Sequence, residues 1–140
     1  MGSGVGETKE FIYNNRLEYR YKMAEVNTEM KYDEEEDILS LSRGREVKAS
    51  IDIGDFVIDV DHNGFITGIE ILNASKNLEV SKDKLQNLKK ASMKITYKPN
   101  HVYIFLIMQF ENKEKDISIP LTIDLGHGSV TTERAQFAIA

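Results

Sequence analysis

The residues from Asp59 to Glu70 have the types and spacing to hold a hard cation. Asp59-x-Asp61-x-Asn63-Gly64, five further residues and Glu70 satisfy the calcium-loop expression D-x-[DN]-x-[DN]-G-x5-E in full. The ligands would be the side chains of Asp59, Asp61 and Asn63, the backbone carbonyl of Phe65 and a bidentate Glu70. The flanking residues point elsewhere. A calcium loop of this kind joins two helices, whereas Phe56-Val57-Ile58 before it and Phe65 to Leu72 after it have strand character. Extended chain would carry Glu70 away by about 3.3 Å per residue instead of wrapping it around an ion. The sequence therefore favours a hairpin turn at Asp61-His62-Asn63-Gly64, where both Asn and Gly accept positive φ, with calcium as the alternative.

Other chemistry is sparse. His127 stands beside Ser129, but His62, His101 and His127 are scattered through turns, and neither a nucleophile elbow nor a metal-spaced His/Glu pair accompanies them. A hydrolase would rest on residue availability alone, so no catalytic residue is assigned and a non-enzyme is expected. The acidic run Asp33-Glu34-Glu35-Glu36-Asp37 reads as a solvated turn before it reads as a metal or basic-partner patch. With no cysteine, thiolate chemistry, disulfides and cysteine-held metals are excluded.

The elements that would position these residues are mostly short strands. The 140 residues, 41% hydrophobic and 29% charged, suit one domain with one core. Met1 to Gly6 is small and flexible in composition, and residues 1–8 are set apart as a flexible N-terminus. Leu17, Tyr19, Tyr21 and Met23 alternate with Glu18, Arg20 and Lys22, which suggests a strand, with Phe11-Ile12-Tyr13 pairing to it through Asn14-Asn15 and a helix over 16–26 as the competitor. Strands follow at Met30–Tyr32, Ile38–Ser42, Val47–Ile53, Phe56–Asp61 and Phe65–Leu72. Ser81 as N-cap, a Val80 and Leu85 staple, Asp83 early and Lys89-Lys90 late predict a helix over about 82–91. Met93 to Tyr97, the apolar Val102 to Phe110, and Ile117 to Leu125 complete the strands, with Pro120 marking an edge or a bulge. Residues 126–140 are a tail or a short closing element.

Charge is uneven. The net is -5, yet residues 1–70 sum to -8 and residues 71–140 to +3. That balance argues against nucleic acid as a partner, although Lys76, Lys82, Lys84, Lys89, Lys90, Lys94 and Lys98 form one basic stretch, read here as a solvated helix. The longest apolar run, Val102 to Met108, is far shorter than the roughly 20 residues of a membrane helix, so a membrane partner is not expected and a cytoplasmic location is.

Residues 31–75 resemble the domain of unknown function 2283 family of short prokaryotic proteins. The resemblance rests on Tyr32-Asp33, Asp37-x-Leu39, Gly54-Asp55-Phe56-Val57-Ile58-Asp59, Asp61-x-Asn63-Gly64 and Gly68-Ile69-Glu70-Ile71-Leu72-Asn73-Ala74-Ser75. The chain departs from the usual form at Glu34 to Glu36, where a proline-containing turn is common, and at Ser40, where an aromatic is common. The family brings no catalytic residues to carry over. Some members are encoded beside small toxin-like proteins, which implies an antitoxin-like role as one expectation. Together these readings give an α+β domain over residues 9–125, mainly antiparallel sheet from consecutive hairpins. Its expected role is a non-enzymatic protein-binding or regulatory module acting through a sheet edge or face, on a protein partner or a second copy of itself. No cofactor is expected apart from the alternative of calcium.

Overall fold

Alternating apolar and polar residues resolve into strands that lay one side each against a shared core. The computed structural model describes residues 19–20, 28–111, 116–132 and 136–138. Among them the strands are β1 Tyr19–Arg20, β2 Glu29–Asp33, β3 Ile38–Ser42, β4 Ala49–Ile53, β5 Phe56–Val60, β6 Ile66–Ile71, β7 Leu88–Lys98, β8 His101–Phe110, β9 Ile117–Asp124, β10 Ser129–Thr132 and β11 Gln136–Ala138. Two short helices, α1 Ala74–Leu78 and α2 Lys82–Gln86, link β6 to β7. The expected α+β, mainly antiparallel class is the one found. No helix among the described residues is long and apolar enough to cross a membrane.

The strands form two antiparallel sheets, ordered β2-β3-β6-β5-β4 and β1-β7-β8-β9-β10-β11. On β8, Val102, Ile104, Leu106, Met108 and Phe110 are buried, and they share one apolar cluster with Leu39, Leu41, Phe56, Ile58, Ile69 and Ile71 of the first sheet. The sheets thus face one another as a sandwich. Each large apolar side chain removed from water this way contributes about 1.5–3 kcal/mol. Polar ties cross the same space: the Ile66 N–H donates to the Tyr97 hydroxyl at 2.8 Å, and buried Arg43 donates to the Met93 carbonyl.

Several expectations change in detail. Ser81 does cap α2, its hydroxyl accepting the Lys84 N–H at 3.2 Å, but the helix ends at Gln86 and not near residue 91. Leu88 already pairs with Phe110, and a register shift between Leu88 and Lys90 places Lys89 and Lys90 together outside while Leu88 and Ala91 both turn inward. That bulge reproduces helical spacing in the sequence, and the ladder offered by the long β8 outweighs a thin apolar stripe. The one-turn α1 was not foreseen. Pro120 belongs to β9, an interior strand, opposite Phe105 of β8. The ladder from β10 reaches only Leu121, so Pro120 falls where the missing N–H disturbs no pairing to β10. Of the stretch 9–26, Tyr19 and Arg20 pair with β7. The remainder, like Met1 to Gly6, lies outside the described residues.

Candidate functional site: an apolar cleft beside an exposed strand edge

The family-like residues assemble a structural latch. Asp37 closes the β2–β3 turn at φ 58, and its buried carboxylate accepts the Tyr32 hydroxyl at 2.7 Å, the Ser75 hydroxyl at 2.7 Å and the Ser75 N–H at 3.1 and 3.2 Å. Its carbonyl accepts the Ala74 N–H at 2.9 Å. From the β4–β5 turn, Asp55 accepts the side-chain amides of Asn73 at 3.3 Å and Asn77 at 3.0 Å, while its carbonyl accepts the Leu72 N–H at 2.8 Å. Two hairpin turns therefore hold one short helix. Gly68 completes the pattern for a packing reason, since a Cβ there would stand 3.1 Å from the Leu41 carbonyl and 3.2 Å from Asp59 Oδ2.

The protonation states of the latch are fixed. Burial pulls the Asp37 carboxyl upward, but the hydrogen bonds from Tyr32 and Ser75 outweigh it and hold the group below the usual carboxylate range. Burial, then donation to Asp37, pushes the Tyr32 hydroxyl well above its ordinary value. Near neutral pH one stays charged and the other neutral, so neither is poised for general acid–base work.

The calcium-loop residues are dispersed among scaffold contacts. Asp61 is buried, with Oδ1 accepting the N–H groups of Asn63 at 2.9 Å and Phe65 at 3.0 Å and Oδ2 lying 3.3 Å from Arg45 Nη1. The Phe65 carbonyl accepts the Asp61 N–H at 2.9 Å. Asp59 belongs to β5 and accepts the Ser50 hydroxyl of β4 at 2.7 Å. Glu70 is exposed on β6, opposite Val57 and Ser40. Of the Asn63-Gly64 pair only Gly64 has positive φ, at 85°, and its N–H returns to the Asp61 carbonyl at 3.0 Å. No group of three or more His, Asp or Glu that could hold a metal occurs among the described residues.

Two histidines meet at one carboxylate. His127 Nδ1 lies 2.9 Å and His101 Nε2 3.4 Å from Asp124 Oδ2, and Asp124 Oδ1 accepts the N–H groups of Gly126 and His127. The hydrogen bond from His127 holds the Asp124 carboxyl below its usual range. This cluster ties the β7–β8 and β9–β10 turns together at the surface, reinforced by the Leu125 N–H donating to the Asn100 carbonyl at 2.8 Å. His62 stands apart, 4.0 Å from Glu46 and exposed.

At the same end the sheets part. A cavity of about 200 Å³ opens between Ile51, Ile53, Ile58, Val60 and Ile66 on one side and Tyr97, Val102, Ile123 and Leu125 on the other. Two of its lining residues are apolar yet well exposed: Ile51 at 39% and Leu125 at 51%. One wall is β4, the last strand of its sheet, with Ala49, Ser50, Ile51 and Asp52 all exposed. Among the described residues the far side of β4 carries no further strand, which leaves a row of main-chain donors and acceptors beside an apolar hole. Sequence reading placed a strand here but could not find the cleft. The only advance signal was Ile51, an apolar residue between Ser50 and Asp52 on this strand.

Comparison with known proteins confirms the resemblance. Residues 29–75 match the family described as "Protein of unknown function (DUF2283)". An uncharacterised protein of Methanocaldococcus jannaschii is 45% identical over 65 residues, which are 45% of this chain and 56% of that protein. A Methanosarcina mazei protein named "Putative hypoxanthine phosphoribosyltransferase" is 27% identical over 89 residues, 63% of this chain and 72% of that protein. The chain thus spans little more than half the length of the first relative. No solved structure matches it. The family segment coincides with the five-stranded sheet and the start of α1, so the six-stranded sheet lies outside it.

Proposed function

We propose that this chain, whose residues 29–75 carry the DUF2283 pattern, is a non-enzymatic binding module that captures an extended stretch of a protein partner along β4. The captured stretch would pair with the free edge through its main chain and seat one large apolar side chain in the cleft. The observation that carries this reading is the conjunction of an edge strand exposed at four of its five positions with an apolar cavity opening beside Ile51. Each main-chain pair contributes about 0.5–1.5 kcal/mol and one buried apolar side chain about 1.5–3 kcal/mol, enough in combination for micromolar affinity. Asp52 on β4 and the acidic balance of residues 1–70 would favour partners with basic flanks. A small toxin-like protein, as the family resemblance implies, is one such partner, and a second copy pairing β4 to β4 is another. Phosphoribosyl transfer, suggested only by the name of the Methanosarcina mazei relative, is set aside because Asp37, Asp55 and Asp61 are each engaged by donors of their own scaffold.

The test is a peptide selected from a displayed library on the intact chain. Hydrogen exchange should then show new protection of β4 amides, and Ile51→Asp should weaken binding at least tenfold without lowering the unfolding midpoint. Selected peptides that protect another surface, or binding indifferent to Ile51→Asp, would refute edge capture.

A further inference from the structure

The outer face of the six-stranded sheet carries a row of rings. On β8, His101, Tyr103 and Phe105 alternate with buried residues and so share the side turned away from the core. Tyr103 is 39% and Phe105 46% exposed, an amount of aromatic area in water that the core does not require. The His101 and Tyr103 rings lie within 9° of parallel with centroids 6.2 Å apart, so two neighbouring flat faces share one orientation. The strand sets successive outward residues about 6.8 Å apart.

What flanks the rings differs on the two sides. Lys98, Lys94 and Lys90 of β7 stand opposite His101, Phe105 and Gln109, a row of exposed cations parallel to the rings. On the other side Thr122, Pro120 and Ser118 of β9 stand opposite Tyr103, Phe105 and Ile107, and their short side chains leave the rings open. Between Leu88 and Phe110 the chain has four lysines and neither Asp nor Glu. Within β7, β8 and β9 the one acidic residue is Asp124, at the His101 end and already engaged by His101 and His127. The whole-chain charge of -5 argues against nucleic acid, but the acidic excess belongs to residues 1–70 and the β7–β8 hairpin carries only basic charge. The aromatic residues that the lysine stretch lacks in sequence are brought beside it by the hairpin register.

We propose that this face binds single-stranded RNA, with bases stacked on Tyr103 and Phe105 and phosphates along Lys90, Lys94 and Lys98. Every base has a flat face, so such a platform is tolerant of sequence, and each lysine supplies a point charge for a phosphate. RNA is chosen over DNA because Thr96 and Thr122 stand on either side of Tyr103, where hydroxyls both donate to and accept from a ribose 2′-hydroxyl. A second copy of this face would bring the lysines no row of anions. The site lies on the sheet outside the family segment and is independent of capture at the β4 edge.

The test is fluorescence anisotropy of the full chain with a labelled, unstructured RNA of about 12 nucleotides containing all four bases. Binding should saturate with a micromolar midpoint and weaken about twentyfold between 50 and 200 mM salt, as three phosphate contacts to a single strand require. Tyr103→Ala and Phe105→Ala should each weaken it about tenfold, whereas Phe105→Tyr keeps the ring and should bind like the parent. Lys94→Gln should weaken binding and lower the salt slope by about 0.7, while Lys76→Gln and Lys82→Gln, on α1 and α2, should not. DNA of the same sequence should bind several-fold more weakly. No saturable binding up to about 100 μM would overturn the proposal. Ring variants that bind like the parent while Lys94→Gln loses affinity would overturn it too, reducing the face to unspecific charge attraction. Equal affinity for DNA would overturn the assignment to RNA. A dimer that Phe105→Ala dissolves, with no RNA bound, would give the face to a second copy instead.

Discussion

The Tyr32 hydroxyl donates to Asp37 Oδ1 over 2.7 Å, and this one contact joins the second strand to the turn that grips α1 through Ser75. Residues that look in the sequence like a chemical signature therefore serve as a mechanical joint. The first hairpin and the helix meet at a single carboxylate with four donor contacts.

Tyr32→Phe should cost about 1–2 kcal/mol, because one donor to a buried carboxylate is lost. Asp37→Ala should cost more, about 2–4 kcal/mol, since the Tyr32 hydroxyl and both Ser75 donors lose their acceptor together. Urea unfolding monitored by circular dichroism measures both. The Asp37 carboxyl is depressed, so its contribution is present above the ordinary aspartate value of about 3.9 and lost as pH falls through the lower folded value. The gap between parent and Asp37→Asn should accordingly close in acid.

Alkaline pH should act through tyrosine. Burial raises Tyr97, and burial with donation to Asp37 raises Tyr32. A raised folded value means the stabilisation is complete below about pH 10 and is lost as pH rises through the folded values, because the unfolded chain gives up its phenolic protons first. Tyr97→Phe should flatten this alkaline loss while lowering stability at pH 7, where the Ile66 N–H loses its acceptor.

Residues 28–87 expressed alone should not behave as a folded monomer. The second sheet covers Leu39, Leu41, Phe56, Ile58, Ile69 and Ile71; uncovering them forfeits on the order of 10 kcal/mol, comparable to the whole stability of a domain. Light scattering after size exclusion should show dimers or aggregates. A monodisperse, cooperatively unfolding monomer would contradict the sandwich as the source of stability.

Calcium up to millimolar concentration should leave the amide resonances from Asp59 to Glu70 in place, with magnesium as control, because the Asp61 oxygens already serve Asn63, Phe65 and Arg45. Asp61→Asn should instead destabilise the β5–β6 turn by about 1–3 kcal/mol, the cost of weakening acceptors for buried donors. Saturable shifts confined to this loop would establish the ion site instead.

Sequence alone determined whatever depends on near neighbours. The apolar run from Val102 to Phe110 set β8, Ser81 set the start of α2, and the run from Gly68 to Ser75 marked the family unit, because each of these is written within a few residues of chain. The tertiary structure decided the rest. Leu88 became a strand residue because Phe110 lies opposite it, Pro120 was tolerated inside β9 because β10 stops at Leu121, and Asp37 became a latch because Ser75, thirty-eight positions away, folds onto it. The cleft arose where two sheets diverge, joining Ile51 to Leu125 across 74 residues of chain. Such features follow from ladder register and packing between distant strands, which period and propensity within one segment do not encode.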